Sequence, residues 1–448
     1  MLPIQTHIFD NGCCLIYEKT DLPLSSIQIY QQFGSIHEPP NLRASAHMIE
    51  HMVFKGCSKY EKSTTISDIY DKIGAEVNAY TEKSYTCYYV KCGYQYTQQA
   101  LEPLGEMLFS SVFNKKDYEL EHAVVIEENT LAVNDTDELE SNEIERLLFN
   151  GTIYDSPIDN IAYHTKKSLD RETVFQLYKN VYIPQNTICS IVSHHPFKTI
   201  VHMLQNTRFT KSHIKQSPTF YIERQCAQQQ NLFPISCISI PLEAVRISLG
   251  FRTCPYNHPD RYILNLIKSF LSDGMNSFLF NELREKHGFT YSSEIEVNYY
   301  KTVGSFILYT EIDKTKTKQV LPILKQILKN LYHKGMTYSQ IKHTKQELKG
   351  RQILRLNNID LSGKQNALAI INATNAVPLS IVPLSIVPLS TVPLSIVPLS
   401  TIFEQKYAPI TKEDVLRVCQ TYFAPNLLKG CLVGKDLPTT HSIHSLFS

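Results

Sequence analysis

One pattern occurs twice in the chain, and no other feature limits its possible folds as strongly. Residues 76–128, beginning "EVNAYTEKSYTCYYVKCG", read as two alternating strands, a helix with a proline near its start, a short turn and a second, charged helix. Residues 294–350, beginning "EIEVNYYKTVGSFILYTEID", repeat that order. A duplicated α+β unit is the simplest reading, because each sheet must bury a face under its own helices. The 448 residues suit two such domains, since single cores rarely grow beyond about 250–300 residues. We divide the chain into residues 1–212, a polar, Gln-rich linker at 213–235, and residues 236–448.

The first copy is preceded by strand signals: "HIFD", an Asn11-Gly12 turn, "CLIYEK", and the alternating "SSIQIYQQFGS". Helices are expected over "ASAHMIEHMVFKG", stopped at Gly56, over "TISDIYDKIG", and over 94–112 and 115–133. One stretch breaks the pattern. Residues 377–400 carry five copies of "VPLS" at five-residue intervals. Pro378, Pro383, Pro388, Pro393 and Pro398 each fix φ and remove a donor, so a helix is excluded and an extended loop is expected. We read it as a tolerated low-complexity expansion in preference to a proline-rich recognition segment, because loop insertions cost little.

Charge narrows the function classes. With 44 Lys+Arg against 43 Asp+Glu the net charge is +1, which argues against nucleic acid as a partner. The eleven cysteines are odd in number and lack CxxC pairs, so reduced thiols are expected. The N-terminus lacks a basic region leading into an apolar stretch, and no run approaches the roughly 18 apolar residues of a membrane span. A soluble, cytoplasmic protein is expected, in a bacterial cytosol or in an organelle matrix after import.

The chemistry is concentrated in "SAHMIEHMVFKGC", residues 45–57. On a helix His47 and His51 face the same way and can share one metal ion. Glu50 lies one turn past His47, close enough to reach a metal-bound water without being a ligand. A zinc site needs a third protein ligand and an open position. The candidate lies in "ELEHAVVIEEN", where Glu121 and Glu128 are seven residues apart, about two helical turns, and share a face. Glu128 is the expected ligand and Glu121 the carboxylate that orients a ligand histidine. Glu127, about 100° around the helix from Glu128, is the reserve ligand.

These residues resemble the pitrilysin-type zinc peptidases, or inverzincins, the group that includes insulin-degrading enzyme and the mitochondrial processing peptidase. The resemblance rests on "HMIEHMVFKG" with Glu128 following His51 by 77 residues, on "GSIHEP", on "IGAEVNAYTEKSYTCYYV" and on "NELREKHGFTYSS". It spans nearly the whole chain apart from the repeat, and the chain looks like a short, two-domain, bacterial-type member. The likeness implies two related α+β domains forming a clam-like half-chamber. It also implies that Asn78 and Ala79 hold an extended substrate on an edge strand, and that Arg284 and Tyr291 bind the substrate backbone and polarise the scissile carbonyl. Three departures stand out: Ser45 two residues before His47 where the family usually has Gly, Cys57 for a common Thr, and "YDSPIDNIAYHTKKSL" without the usual glycine-bearing turn.

The implied activity is a zinc endopeptidase acting on peptides or presequence-like segments, with one Zn2+ per chain and Glu50 as proton acceptor. Family members of this length imply a homodimer or a heterodimer with a similar chain. The acidic run "NDTDELESNEIER" is a candidate for holding basic substrate residues, although charge runs more often form a solvated helix face. Two alternatives stay open: a non-catalytic subunit of a peptidase-like complex, and a metal-dependent hydrolase of small amides.

Overall fold

The structure is a computed structural model that describes residues 4–164, 169–211, 235–372, 398 and 400–447. Nearly all of the expected linker and of the "VPLS" repeat lies outside these residues. The described chain forms two compact units, each with one sheet.

The first sheet contains β1 (Gln5–Ile8), β2 (Cys14–Lys19), β3 (Leu24–Gln31), β4 (Glu76–Thr81), β5 (Thr86–Gly93) and β6 (Thr187–Ser193), in the order β1-β2-β6-β3-β5-β4. β2 and β6 run parallel and the other neighbours antiparallel. The central strands are apolar on both faces because both faces are covered. Leu15, Tyr17, Ile27, Ile29, Tyr88, Val90 and Ile191 point into one core, while their neighbours Cys14, Ile16, Tyr30, Cys87 and Ile188 point into another, as a two-residue period requires. The first core is closed by helices of the same chain half, among them Ser45–Val53 and Thr97–Ser110. The second is closed by Ala367, Ile370 and Ile371 of the helix Ile359–Ile371, which comes from the other end of the sequence. Burying each of those two isoleucines contributes roughly 1.5–3 kcal/mol. Gln28 Nε2 donates to Asp360 O (2.7 Å) and Ser190 Oγ to Gly363 O (2.8 Å), so the sheet's polar atoms on that face also find partners on this helix.

The second sheet contains β7 (Ile235–Ser239), β8 (Ala244–Thr253), β9 (Thr290–Tyr299), β10 (Gly304–Asp313) and β11 (Lys429–Gly434), in the order β7-β11-β8-β10-β9. It repeats the first sheet without β1, including the parallel pairing of β7 with β11. Helices Asp260–Ser272, Thr317–Lys334 and Lys412–Tyr422 close one core. The helix Thr136–Phe149 packs on β8 and β11, with Leu148 and Ile144 against Gly250. It follows the helix Lys115–Asn134 directly, as Ile359–Ile371 follows Tyr338–Arg355. At the same point in each copy the chain therefore sends one helix to the other unit's sheet. The expected acidic run lies here, and much of it is already bound. Arg246 contacts Asp137, Nε bonds Glu140 (2.9 Å) and Nη1 bonds Glu311 (3.0 Å); Glu143 bonds Arg146 (2.7 Å). Among the described residues no helix is long and apolar enough to cross a membrane.

Candidate metal centre

The helix Ser45–Val53 buries Met48, Ile49, Met52 and Val53 in the first unit's core, which leaves His47, Glu50 and His51 on the remaining face. Its start is fixed by two local devices. Ala44 adopts φ 69°, so the left-handed position that favours glycine falls there and not at Ser45. The buried Glu38 then accepts hydrogen bonds from the backbone N of Ala44 (3.0 Å) and Ala46 (2.8 Å), supplying the acceptors that an alanine N-cap lacks. Beyond the helix Gly56 turns the chain at φ 135°, where an added Cβ would lie 2.6 Å from Glu61 O.

The helix Lys115–Asn134 brings up the carboxylates, anchored by Tyr118, whose hydroxyl donates to Leu169 O (2.9 Å), and by the buried Val125. His51 Nε2 lies 3.2 Å from His47 Nε2, and Glu128 Oε2 lies 3.5 Å from His51 Nε2 and 3.9 Å from His47 Nε2. One ligand atom from each of the three lies within 4.8 Å of the others. Glu127 is not part of this group. Glu121 Oε2 meets His51 Nδ1 at 3.1 Å, while its other oxygen binds Lys55 Nζ at 2.6 Å. Asp159 Oδ2 meets His47 Nδ1 at 2.7 Å.

Thr81, at the end of β4, donates its hydroxyl to Glu50 and holds that carboxylate beside the histidines. Burial raises Glu50 above the usual carboxylate range, against the pull of Thr81 and both imidazoles. Burial opposes a charged His47, but the hydrogen bond and field of Asp159, with Glu50 and Glu128, raise it overall. Asp159 is itself disfavoured as an anion by burial, yet hydrogen bonds from His164 and His47 hold it at about 2. β4 is an edge strand of the sheet and carries Asn78 and Ala79, paired with Tyr89 and Tyr88 of β5. Arg284 and Tyr291 belong to the second unit and are neighbours there. The guanidinium donates to Tyr291 O (3.2 Å) and lies 4.7 Å from its ring, and Tyr291 is 82% exposed.

Comparison with known proteins places this geometry. Residues 15–163 match the family model described as "Insulinase (Peptidase family M16)", and residues 168–348 match "Peptidase M16 inactive domain". The chain belongs to peptidase family M16. The first M16 match contains His47, Glu50, His51 and Glu128, and the second contains Arg284 and Tyr291. The chain is similar to "Uncharacterized zinc protease YmxG" of Bacillus subtilis (strain 168), with 26% identity covering 84% of this chain and 93% of the relative. It is also similar to an "Uncharacterized zinc protease" of Rickettsia bellii (strain RML369-C), with 26% identity over 72% and 76% of the two chains. The M16 fold is shared with a protease from Helicobacter pylori (TM-score 0.84, 17% identity, 97% and 100% coverage). It is shared as well with a structure described as "peptidase M16 inactive domain" from Pseudomonas fluorescens (TM-score 0.82, 15% identity, 98% and 99% coverage).

The M16 relatives are named zinc proteases, and the donor set fits that metal. Zinc bonds of about 2.0–2.2 Å in a tetrahedron put neighbouring ligand atoms about 3.3–3.6 Å apart. The 3.2, 3.5 and 3.9 Å separations straddle that range, and the longest involves Glu128, whose side chain is 48% exposed and free to adjust. Each imidazole gives Nδ1–H to a carboxylate, so both Nε2 lone pairs face the Glu128 oxygen, and a cation relieves their repulsion. Sequence reasoning missed Glu38, Thr81 and Asp159. Thr81 lay within the edge-strand motif quoted for the resemblance, and Glu38 within "GSIHEP". The signal for Asp159 was a histidine, His164, five residues further on.

Proposed function

We propose that this M16 chain is a zinc-dependent endopeptidase that takes extended peptides along β4. The observation that carries the reading is the convergence of three electron-pair donors, His47 Nε2, His51 Nε2 and Glu128 Oε2, beside a fourth, separately held carboxylate, Glu50. In this reading His47, His51 and Glu128 hold one zinc per chain. When bound, the ion supplies Lewis acidity and makes water acidic enough to ionise near neutral pH. Glu50 accepts the proton of the attacking water and returns it to the leaving amine, a role suited to a carboxylate whose burial raises its proton affinity. Thr81 keeps Glu50 turned toward the histidines through its hydroxyl.

Among the described residues β4 has a strand neighbour on one side only, and its other edge would offer backbone groups to a peptide added as a further strand, with Asn78 and Ala79 at its centre. This favours peptides over small amides, which have no backbone to pair. Arg284 and Tyr291 are proposed, by resemblance alone, to contact the substrate backbone and its scissile carbonyl. A similar chain, identical or related, is proposed as partner. The test measures zinc content and cleavage of a mixed peptide library by the wild type and by Glu50→Gln. One zinc per chain in both, with cleavage in the wild type alone, is the expected result. Neither zinc nor cleavage in the wild type would favour a non-catalytic subunit instead.

A further inference from the structure

We propose that Asp159, steadied by His164, is the positioning residue that orients His47 as a metal ligand, so that metal affinity depends on a pair outside the His-x-x-Glu-His motif. The inference rests on reading His47, His51 and Glu128 as a zinc site. It adds to that reading a residue drawn from the segment that lacks the family's usual glycine-bearing turn.

The two histidines are held differently. His51 leans on Glu121, which shares a regular helix with Glu128 and is fixed from behind by Lys55 at 2.6 Å. His47 leans on Asp159, which lies in an irregular stretch just before the short helix Ile161–His164. An irregular segment gives a carboxylate little rigidity of its own, so something else must fix it. The structure supplies that on both oxygens. Oδ2 accepts from His47 Nδ1 at 2.7 Å, and Oδ1 accepts from His164 Nε2 at 2.8 Å and from the backbone N of Asn160 at 2.6 Å. The carboxylate plane cannot turn without breaking one of these bonds. Asn160 Oδ1 in turn accepts from Ala162 N (2.8 Å), which bends the chain into the turn that delivers His164.

The protonation pattern follows from the partners. A carboxylate on Nδ1 requires the proton of neutral His47 on that nitrogen, which leaves Nε2 with its lone pair toward His51 and Glu128. The His164 side chain is fully buried, and among the described residues its Nδ1 has no partner. A buried unpaired acceptor is tolerated better than a buried unpaired N–H, so His164 carries its proton on Nε2 and spends it on Asp159. His164 thus acts on the metal ligand only through Asp159.

The experiment measures the zinc dissociation constant by chelator competition for the wild type, Asp159→Ala, Asp159→Asn and His164→Ala. It also records the histidine ring tautomers of the metal-free proteins by ¹⁵N NMR. Asp159→Ala is expected to weaken zinc binding by roughly 10- to 100-fold and to turn His47 from a single Nδ1–H tautomer into a mixture. Asp159→Asn keeps the side-chain shape and is expected to fall between it and the wild type. It decides the matter if the alanine variant does not fold. His164→Ala is expected to give a smaller loss, on the order of several-fold. A residue with a merely structural role would lower the melting temperature without changing the His47 tautomer. Wild-type zinc binding with unchanged affinity and tautomer in the Asp159 variants would overturn the inference and leave the zinc site standing. A wild type that does not bind zinc would overturn the zinc reading, and this inference with it.

Discussion

Asp159 in the first unit and Asp260 in the second are both withdrawn from solvent, and their surroundings treat them in opposite ways. Asp260 receives Arg417 Nη1 at 3.0 Å and Nη2 at 2.6 Å, with the Tyr422 hydroxyl at 3.3 Å. Burial works against its charge, but Arg417 keeps the carboxyl below the usual range. That cluster is neutral within the chain, and its geometry is closed. Around Asp159 the described residues place Glu50, Glu121 and Glu128 with the imidazoles of His47, His51 and His164, and the cation in contact, Lys55, is bound to Glu121. The first cluster therefore has a surplus of negative charge and lone pairs, while the second has none. A buried carboxylate by itself says little about function, and the charge balance around it says much more.

The comparison can be broken most severely at His51. His51→Ala is expected to abolish both stoichiometric zinc, measured by elemental analysis, and peptide hydrolysis; retained metal would remove the contrast between the clusters. Glu50→Gln is expected to keep zinc while lowering kcat by about 10²- to 10⁴-fold, the usual worth of a positioned general base. Arg417→Ala tests the closed cluster. It should lower stability by about 2–3 kcal/mol in denaturant titration, below the full cost of stranding a buried charge because Arg417 is half exposed, and leave zinc content unchanged.

The smallest effect is expected at Glu140. Burial pushes this carboxyl up to about 7 from 4.5, against Arg246. The folded state then holds a proton that the unfolded state has released, so its contribution is fully present below about 4.5 and lost as pH rises through about 7. Between pH 5 and 8 the wild-type melting temperature should fall by a few degrees more than that of Glu140→Gln. Parallel melting curves would show that Arg246 keeps Glu140 charged throughout.

Much of this could be read from the chain, for identifiable reasons. The strand–strand–helix–helix pattern is written in local periodicity, so it survived in both copies even where the residues themselves diverged. His47 and His51 were readable because four-residue spacing fixes their common face, and Glu121 and Glu128 because seven residues make nearly two turns. The helices Thr136–Phe149 and Ile359–Ile371 were recognisable at most as helices. An apolar stripe shows which face is buried but not which sheet it meets. Asp159 lies 108 residues beyond His51 in a stretch without any period, so only folding brings it to His47. The positive φ at Ala44 was likewise hidden, because alanine there gives no sign of the conformation it is made to adopt.

The reciprocal helices bear on how such a chain came to exist. Two separate copies of one ancestral unit, each lending the other the helix after its long charged one, would have formed an exchanged dimer. Joining them end to end would give the connectivity found here. Once joined, each sheet is covered by a helix carried in the other copy. A gene split in the Gln-rich stretch would give two polypeptides, each with a bare sheet face and a helix whose apolar stripe has nothing to cover.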